Sequence, residues 1–311
     1  MTQLFAKGRL LSFAVLMLGM AASVQAQAAD SPVRVGSKID TEGSLLGNII
    51  LQVLASHGVK TINKLQLGTT QVMRGAITSG EIDIYPEYTG NGAFFFNDAK
   101  DPVWKDANAG YQKVKQLDYD KNHIVWLDPA PANNTWTIAV RDDLAKNQHL
   151  DSLSDLSRYL KNGGKFKLAA SAEFIERPDA LPAFEKTYDF QLRQDQLLSL
   201  AGGDTAVTLK AAAERTSGVN AAMAYGTDGP VAALGLHTLS DPRGVQPIYA
   251  PTPIIREAVL KQHPGIADWL KPVFASLDTP TLQKLNASIA VEGQNASKVA
   301  ADYLKQQGFV K

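Results

Sequence analysis

The sequence predicts an α/β protein folded in two lobes. Three observations carry that expectation. From residue 33 to about residue 235, short apolar runs alternate with amphipathic helical stretches, the pattern of sheets covered by helices. One stretch, residues 67–92, reads as a complete strand, helix, strand and loop unit. The chain has 311 residues, enough to bury two ordinary cores.

The elements follow in order. Residues 33–36 read as the first strand, and Leu45, Leu46, Ile49, Ile50, Val53 and Leu54 form a helical stripe closed by Gly58. Residues 61–67 are the second strand. Thr69 or Thr70 is placed to cap the next helix by accepting an N–H of its first turn. Val72, Met73, Ala76 and Ile77 give that helix one apolar face, and Gly80 suits the left-handed residue at its end. Residues 82–85 read as a short strand that stops at Pro86, which cannot donate to a ladder. Tyr88, Thr89 and two glycines follow at its carboxyl end, where open α/β sheets bind ligands.

Further on, residues 124–127 read as a strand before the crossing Asp128-Pro129-Ala130-Pro131, and residues 135–140 are extended again. A helix spans residues 154–160 and ends at Gly163-Gly164, and residues 167–170 form a strand. Asp204 caps a helix that runs to Ala213, residues 220–225 form a strand, and Pro230 opens a helix at its favoured first position. After Tyr249 the chain is predicted to be mostly helical. Leu282, Leu285 and Ile289 mark one helix, and Val299, Ala300, Tyr303 and Leu304 mark the last.

One long-range echo stands out. The run from Ser79 through Tyr85 to Thr89-Gly90 is matched by the run from Ser217 through Tyr225 to Thr227-Asp228-Gly229. Each is a turn, a strand, a tyrosine and a loop with threonine and glycine. Placed in different lobes, the two tyrosine-bearing ends face one cleft. The plainer alternative is two unrelated strand ends.

Residues 1–28 read as a secretory signal peptide: Lys7 and Arg9 precede a 13-residue apolar stretch, Leu10 to Ala22, and small-residue cleavage sites end at Ala26 and Ala28. The alternative is an uncleaved anchor, for which the stretch is short. The expected location is the periplasm. Without Lys7 and Arg9, 29 basic residues stand against 31 acidic ones, a net charge of −2. That balance argues against nucleic acid or an anionic membrane surface as partner. There is no cysteine, so neither disulfides nor thiol chemistry enter.

Catalysis finds little support. The five histidines, His57, His123, His149, His237 and His263, are scattered without metal-ligand spacing. Neither a nucleophile elbow nor a phosphate loop is present, and no metal or cofactor is expected. A periplasmic hydrolase remains the alternative from another class. Gly202-Gly203-Asp204-Thr205 could cradle an anion or be a plain helix cap. Binding is better supported. Tyr85, Tyr88, Trp136 and Tyr225 stand at strand starts or ends near loops. An aromatic cage suits a quaternary ammonium, which has no N–H to donate and is held by ring quadrupoles. Lys38 and Arg177 are candidates to clamp a carboxylate, helped by N–H groups near Thr41 and Thr205. For each tyrosine the alternative is core packing, and for each cation a solvated surface.

Four segments carry a family resemblance: Val35-Gly36-Ser37-Lys38 with Thr41-Glu42; residues 80–90, GEIDIYPEYTG; residues 170–177, ASAEFIER; and residues 224–229, AYGTDG. Together they resemble the osmoprotectant-binding proteins of ABC importers, over essentially the whole mature chain, and most closely the periplasmic glycine betaine-binding branch. The resemblance implies a two-lobed periplasmic binding protein fold, with a ligand cleft between the lobes and a hinge of crossing strands. The first lobe would be discontinuous, residues 29–137 and 241–311, with the second at 138–240. The hinge strands would be residues 135–141 and a return near 237–246. The implied ligand is glycine betaine or a choline-like relative in an aromatic box, bound with modest affinity. Choline, proline betaine and an amino-acid-like solute are the alternatives. Lys38 matches the family's first-lobe lysine, and Tyr85 and Thr89 its tyrosine-threonine loop. Arg177 matches a second-lobe arginine aimed at the carboxylate. Tyr225 matches a cage tyrosine with Thr227 and Asp228 beside it. Trp136 stands where many relatives carry tyrosine, within Asn134-Thr135-Trp136. The implied partners are separate permease and ATPase chains, the receptor itself being a monomer.

Overall fold

The computed structural model describes residues 31–311; the predicted signal peptide lies outside the described residues. Four strands open the chain: β1 (Val33–Lys38), β2 (Thr61–Gly68), β3 (Ile84–Tyr88) and β4 (Ile124–Trp126). Five more follow: β5 (Trp136–Arg141), β6 (Leu168–Ser171), β7 (Leu197–Leu200), β8 (Ala221–Tyr225) and β9 (Leu236–Thr238). The last, β10 (Pro251–Arg256), returns to the first group. They make two five-stranded sheets of order β2-β1-β3-β10-β4 and β7-β6-β8-β5-β9. In each, parallel strands are joined through helices and an antiparallel strand carries the crossing.

The first core forms on the helix Thr41–Ser56. Leu45, Leu46, Ile49 and Ile50 recur at helical spacing and are fully buried. They pack with Val299, Ala300, Tyr303 and Leu304 of the C-terminal helix Ala296–Gln306. The second sheet is filled by Ile138, Val140, Leu168, Phe174, Phe184 and Met223. Each such side chain contributes roughly 1.5–3 kcal/mol by leaving water. Among the described residues no helix is long and apolar enough to cross a membrane.

Local signals read from the sequence mostly recur here. Gly80 ends the helix Thr70–Ser79 at φ 80°, and the Asp204 carboxylate accepts from Ala206 N–H at 3.1 Å to cap Thr205–Ala213. Pro230 opens Pro230–Ala233. Thr69 stands at its helix start but makes no side-chain cap.

One expectation fails, and it involves proline. β3 does not stop at Pro86 but runs through it to Tyr88, and the mostly helical stretch after Tyr249 opens with a strand, residues 251–256, inside the first sheet. Pro86 pairs with Pro253. The Pro253 carbonyl accepts from Leu127 N–H at 3.0 Å, so the amide edge of Pro253 faces away from β3. The two prolines thus meet where the β3–β10 ladder uses neither N–H. Residues 136–141, expected as a hinge strand, are laddered into the second sheet as β5, and the segments that cross between the sheets are residues 127–135 and 239–250. These two segments bind each other through Asn134 N–H to the Tyr249 carbonyl at 2.9 Å.

Candidate functional site

A cavity of about 30 Å³ lies between the two sheets, at the carboxyl ends of β1, β3 and β8. Four aromatic residues wall it: Tyr88, Trp136, Tyr225 and Tyr249. Local structure explains each. Tyr88 is the last residue of β3, and Tyr225 the last of β8. Trp136 begins β5 and sits directly across the ladder from Tyr225. Tyr249 ends the second crossing. The Trp136 ring is 6.3 Å from Tyr225 at an interplanar angle of 22°, and 5.7 Å from Tyr249 at 60°. Phe174 supports the indole edge-on at 5.8 Å.

The charged groups around the rings are paired. Lys38 is buried and meets the fully buried Glu87 at 2.8 Å, with its ammonium 4.7 Å from the Tyr88 ring centre. Glu87 also accepts from Tyr85 O–H at 2.7 Å, Asn91 at 2.6 Å and Tyr88 N–H at 2.8 Å. Arg177 donates to both oxygens of Asp179 at 2.7 and 2.9 Å, to Glu173 at 3.0 Å and to Asn91 at 2.8 Å. Its guanidinium lies 4.2 Å from the Phe94 ring centre and 4.6 Å from that of Trp136. Burial opposes its charge, but the carboxylates of Asp179 and Glu173 outweigh this, and its pKa stays above the ordinary value.

Beneath the rings lie three carboxylic acids, Glu42 buried and Asp40 and Asp228 half-buried. Glu42, in the first turn of Thr41–Ser56, accepts from Tyr88 O–H at 3.0 Å and from Asn134 and Asn286, each at 2.8 Å. Burial raises its pKa in spite of these donors. Asp40 caps the same helix through Gly43 N–H at 2.6 Å, and burial pushes its carboxyl up to about 6. Asp228 accepts from Tyr225 N–H and Thr205 O–H, both at 2.7 Å, and burial pushes it up to about 7.

Of the residues singled out from the sequence, Lys38, Tyr88, Asn134, Trp136 and Tyr225 meet at this cavity. Tyr85, Thr89, Arg177, Thr227 and Asp228 are not on its wall. Tyr85 is three residues before Tyr88, so the strand turns it to the opposite side, into a core with Met73 and Trp126. Thr89 binds the Ile248 carbonyl through its hydroxyl at 2.9 Å and the Ala250 carbonyl through its N–H at 3.1 Å, pinning β3 to the crossing. Thr227 is fully buried and accepts from Asn134 at 2.7 Å. Arg177 lies behind the indole and Asp228 below Tyr225, in the pairings given above. The sequence reading passed over Tyr249, Asp40, Asn91 and Glu173, which all line the cavity. Only Tyr249 carried a signal: it closes the second crossing as Trp136 follows the first.

Comparison with known proteins bears on this arrangement. A family model described as the substrate binding domain of ABC-type glycine betaine transport system matches residues 31–306. The glycine betaine-binding protein YehZ of Escherichia coli K12 is 74% identical over 296 residues, covering 95% of this chain and 97% of that protein. The solved structure of apo YehZ from Escherichia coli, 76% identical, covers 90% of this chain and all of its own, with a TM-score of 0.66. A glycine betaine/carnitine/choline ABC transporter structure covers 89% of this chain and 99% of its own at TM-score 0.69. At 22% identity it speaks for the two-lobed fold alone.

Proposed function

The chain belongs to the family of substrate-binding domains of ABC-type glycine betaine transport systems, and from that membership we propose a specific role. The protein is a monomeric periplasmic receptor that closes on glycine betaine or a related quaternary-ammonium osmoprotectant. It hands the ligand to separate permease and ATPase chains.

One observation carries the ligand class: four aromatic residues from both sheets and the crossing between them surround one cavity. A quaternary ammonium has no hydrogen to donate, so ring faces are the groups that hold it. Lys38, Asn134, Trp136 and Tyr225 are ligand contacts in this reading, with Tyr88 and Tyr249 completing the box. Tyr85, Thr89, Arg177, Thr227 and Asp228 support it from behind. The lobes are residues 29–137 with 241–311, and residues 138–240. Sheet membership agrees with that division except at Trp136 and Thr137, which pair with Tyr225 and Ala224 in the second sheet.

The cavity, about 30 Å³, holds roughly one or two water molecules. A trimethylammonium group therefore enters only when the walls part, and the crossings at residues 127–135 and 239–250 are where the chain hinges. Each ring contact is worth roughly 0.5–2 kcal/mol, whereas millimolar binding needs about 4 kcal/mol and micromolar about 8. Lys38 and Arg177 already hold carboxylates of the protein, so affinity is modest.

Calorimetric titration of the mature protein with glycine betaine, beside Tyr225→Ala, tests the proposal. Saturable one-site binding that the substitution abolishes supports it. Absence of heat and of thermal stabilisation at tens of millimolar rejects this ligand and leads to choline, proline betaine and amino-acid-like solutes. Ligand recovered unchanged after prolonged incubation separates the receptor from a hydrolase.

A further inference from the structure

Besides the two crossings, the sheets are joined by a contact that is not covalent. The loop after β8, residues 226–229, is tied to the second sheet: Asp228 accepts from Tyr225 N–H at 2.7 Å, and Gly226 N–H donates to the Thr135 carbonyl at 2.9 Å. The helix Thr279–Ala290, whose Leu282 is buried in the first core, holds the same loop from the other side. Gln283 donates to the Gly226 carbonyl at 2.9 Å. The buried Asn286 donates to the Thr227 carbonyl at 3.0 Å and to Glu42 at 2.8 Å. Loop and helix touch so closely that a Cβ on Gly229 would stand 2.7 Å from the Ala287 Cβ, besides its clash with the Gln283 carbonyl.

This contact lies against the first crossing. Asn134 of the crossing donates to the Thr227 hydroxyl at 2.7 Å, and Asn133 N–H donates to the hydroxyl of Thr279, which opens the helix, at 3.3 Å. A Cβ on Gly226 would stand 2.5 Å from the Asn133 carbonyl oxygen. In a hinge rotation displacement grows with distance from the axis, so groups packed on a crossing move least. The lip of the cavity formed by Ile39, Gly68 and Gly203 is built differently. Ile39 is exposed there and comes within van der Waals reach of Gly202 in the other lobe. Thr41 donates to Asp204 at 3.1 Å, and Asp204 keeps the Ala206 N–H when Thr41 leaves.

We propose that the helix Thr279–Ala290 and the loop 226–229 form a third, non-covalent hinge element that stays engaged when the lobes part. Gln283 and Asn286 are its positioning residues. Opening is then one-sided: the lip at Ile39 and Gly203 lifts and admits the ligand, while the wall at Asn134 and Tyr225 stays joined to both lobes. The inference rests on the receptor reading above, which supplies the closing motion.

Distances between spin labels test it. The chain has no cysteine, so introduced cysteines are labelled alone. Lys284→Cys with Ala232→Cys spans the contact from the groove that both residues line. Val72→Cys with Val207→Cys spans the lip from two exposed positions. Glycine betaine is expected to shift the lip distance by more than about 2 Å and to leave the contact distance within about 1 Å. Comparable shifts in both pairs overturn the proposal, because the lobes then part along the whole cleft. If betaine shifts neither pair, the ligand-free widths decide. A narrow contact pair beside a broad lip pair supports the hinge, and equal widths overturn it. Absence of binding heat in calorimetry marks failure of the receptor reading separately. Gln283→Ala adds a second readout. A bond present in both open and closed states does not bias closure, so this variant should melt earlier yet change the betaine Kd by less than about twofold. A loss of about fivefold or more, the scale of a hydrogen bond made only in the closed state, overturns the proposal.

Discussion

Arg177 donates to Asn91 across the cleft at 2.8 Å, linking the loop after Ala172–Glu176 to the start of the short helix Asn91–Phe95. The same guanidinium rests on Phe94 and on Trp136, so one side chain from the second sheet clasps the first.

The clasp has a stability consequence. Replacing Arg177 by Met leaves Asp179 and Glu173 without their cation in a buried setting, which costs about 3–5 kcal/mol. Urea unfolding of Arg177→Met at pH 7 should show a loss of that size. A loss under about 1 kcal/mol would mark the pairing as an ordinary surface contact.

Tyr85 and Tyr88 should separate by phenotype. Tyr85 is fully buried in the core, so Tyr85→Ala should lower stability by about 3–5 kcal/mol. Tyr88 lines the cavity, and Tyr88→Ala should weaken glycine betaine binding by about tenfold or more. Denaturant midpoints and calorimetry on both variants check the division, and the reverse assignment would overturn it.

The acids beneath the rings predict a pH dependence. Burial raises the carboxyl pKa of Asp40 to about 6 and that of Asp228 to about 7, and that of Glu42 also moves up. Between about pH 4 and 7 the folded protein then holds more protons than the unfolded chain. Linkage makes stability fall as pH rises through that window. Below it, carboxyls whose pKa is lowered on folding, such as Asp83 beside Arg34, take protons and lose their contribution. Stability should therefore peak near pH 4–5, and Asp228→Asn should flatten the decline toward pH 7. Guanidinium midpoints at pH 5 and 7 measure it, and an unchanged slope in the variant would place the titrating group elsewhere.

Gly229 gives a steric prediction. A Cβ there would stand 1.9 Å from the Gln283 carbonyl oxygen, within the helix Thr279–Ala290. Gly229→Ala must push that helix away from the loop after β8, at a cost of about 1–3 kcal/mol. Thermal unfolding reads the effect, and a neutral result would show that the two segments part freely.

Much of the fold was legible along the chain because its signals are short in range. The stripe from Leu45 to Leu54, the left-handed Gly80, the cap at Asp204 and the opening Pro230 each depend on neighbours within about one helical turn. Membership in the transport family was legible too, since residues 80–90 and 224–229 are contiguous segments. The early stop expected for β3 has a physical cause. A proline breaks a ladder only when its N–H edge faces a partner, and which edge faces β3 was settled by where β10 and Leu127 lie.

The sequence by itself determined the local elements, the aromatic character of the strand ends and the kind of ligand such rings can hold. Tertiary structure alone decided which rings share the cavity. Alternation along β3 requires Tyr85 and Tyr88 to face opposite ways, but only the packing of Trp126 and Met73 against one side says which of them meets the cleft. It also decided the state of the charges. Lys38 and Arg177 are cations in any reading, and whether they await a ligand depends on Glu87, Asp179 and Glu173 reaching them first. Those pairings are set by distances in space, and the order of residues along the chain does not contain them.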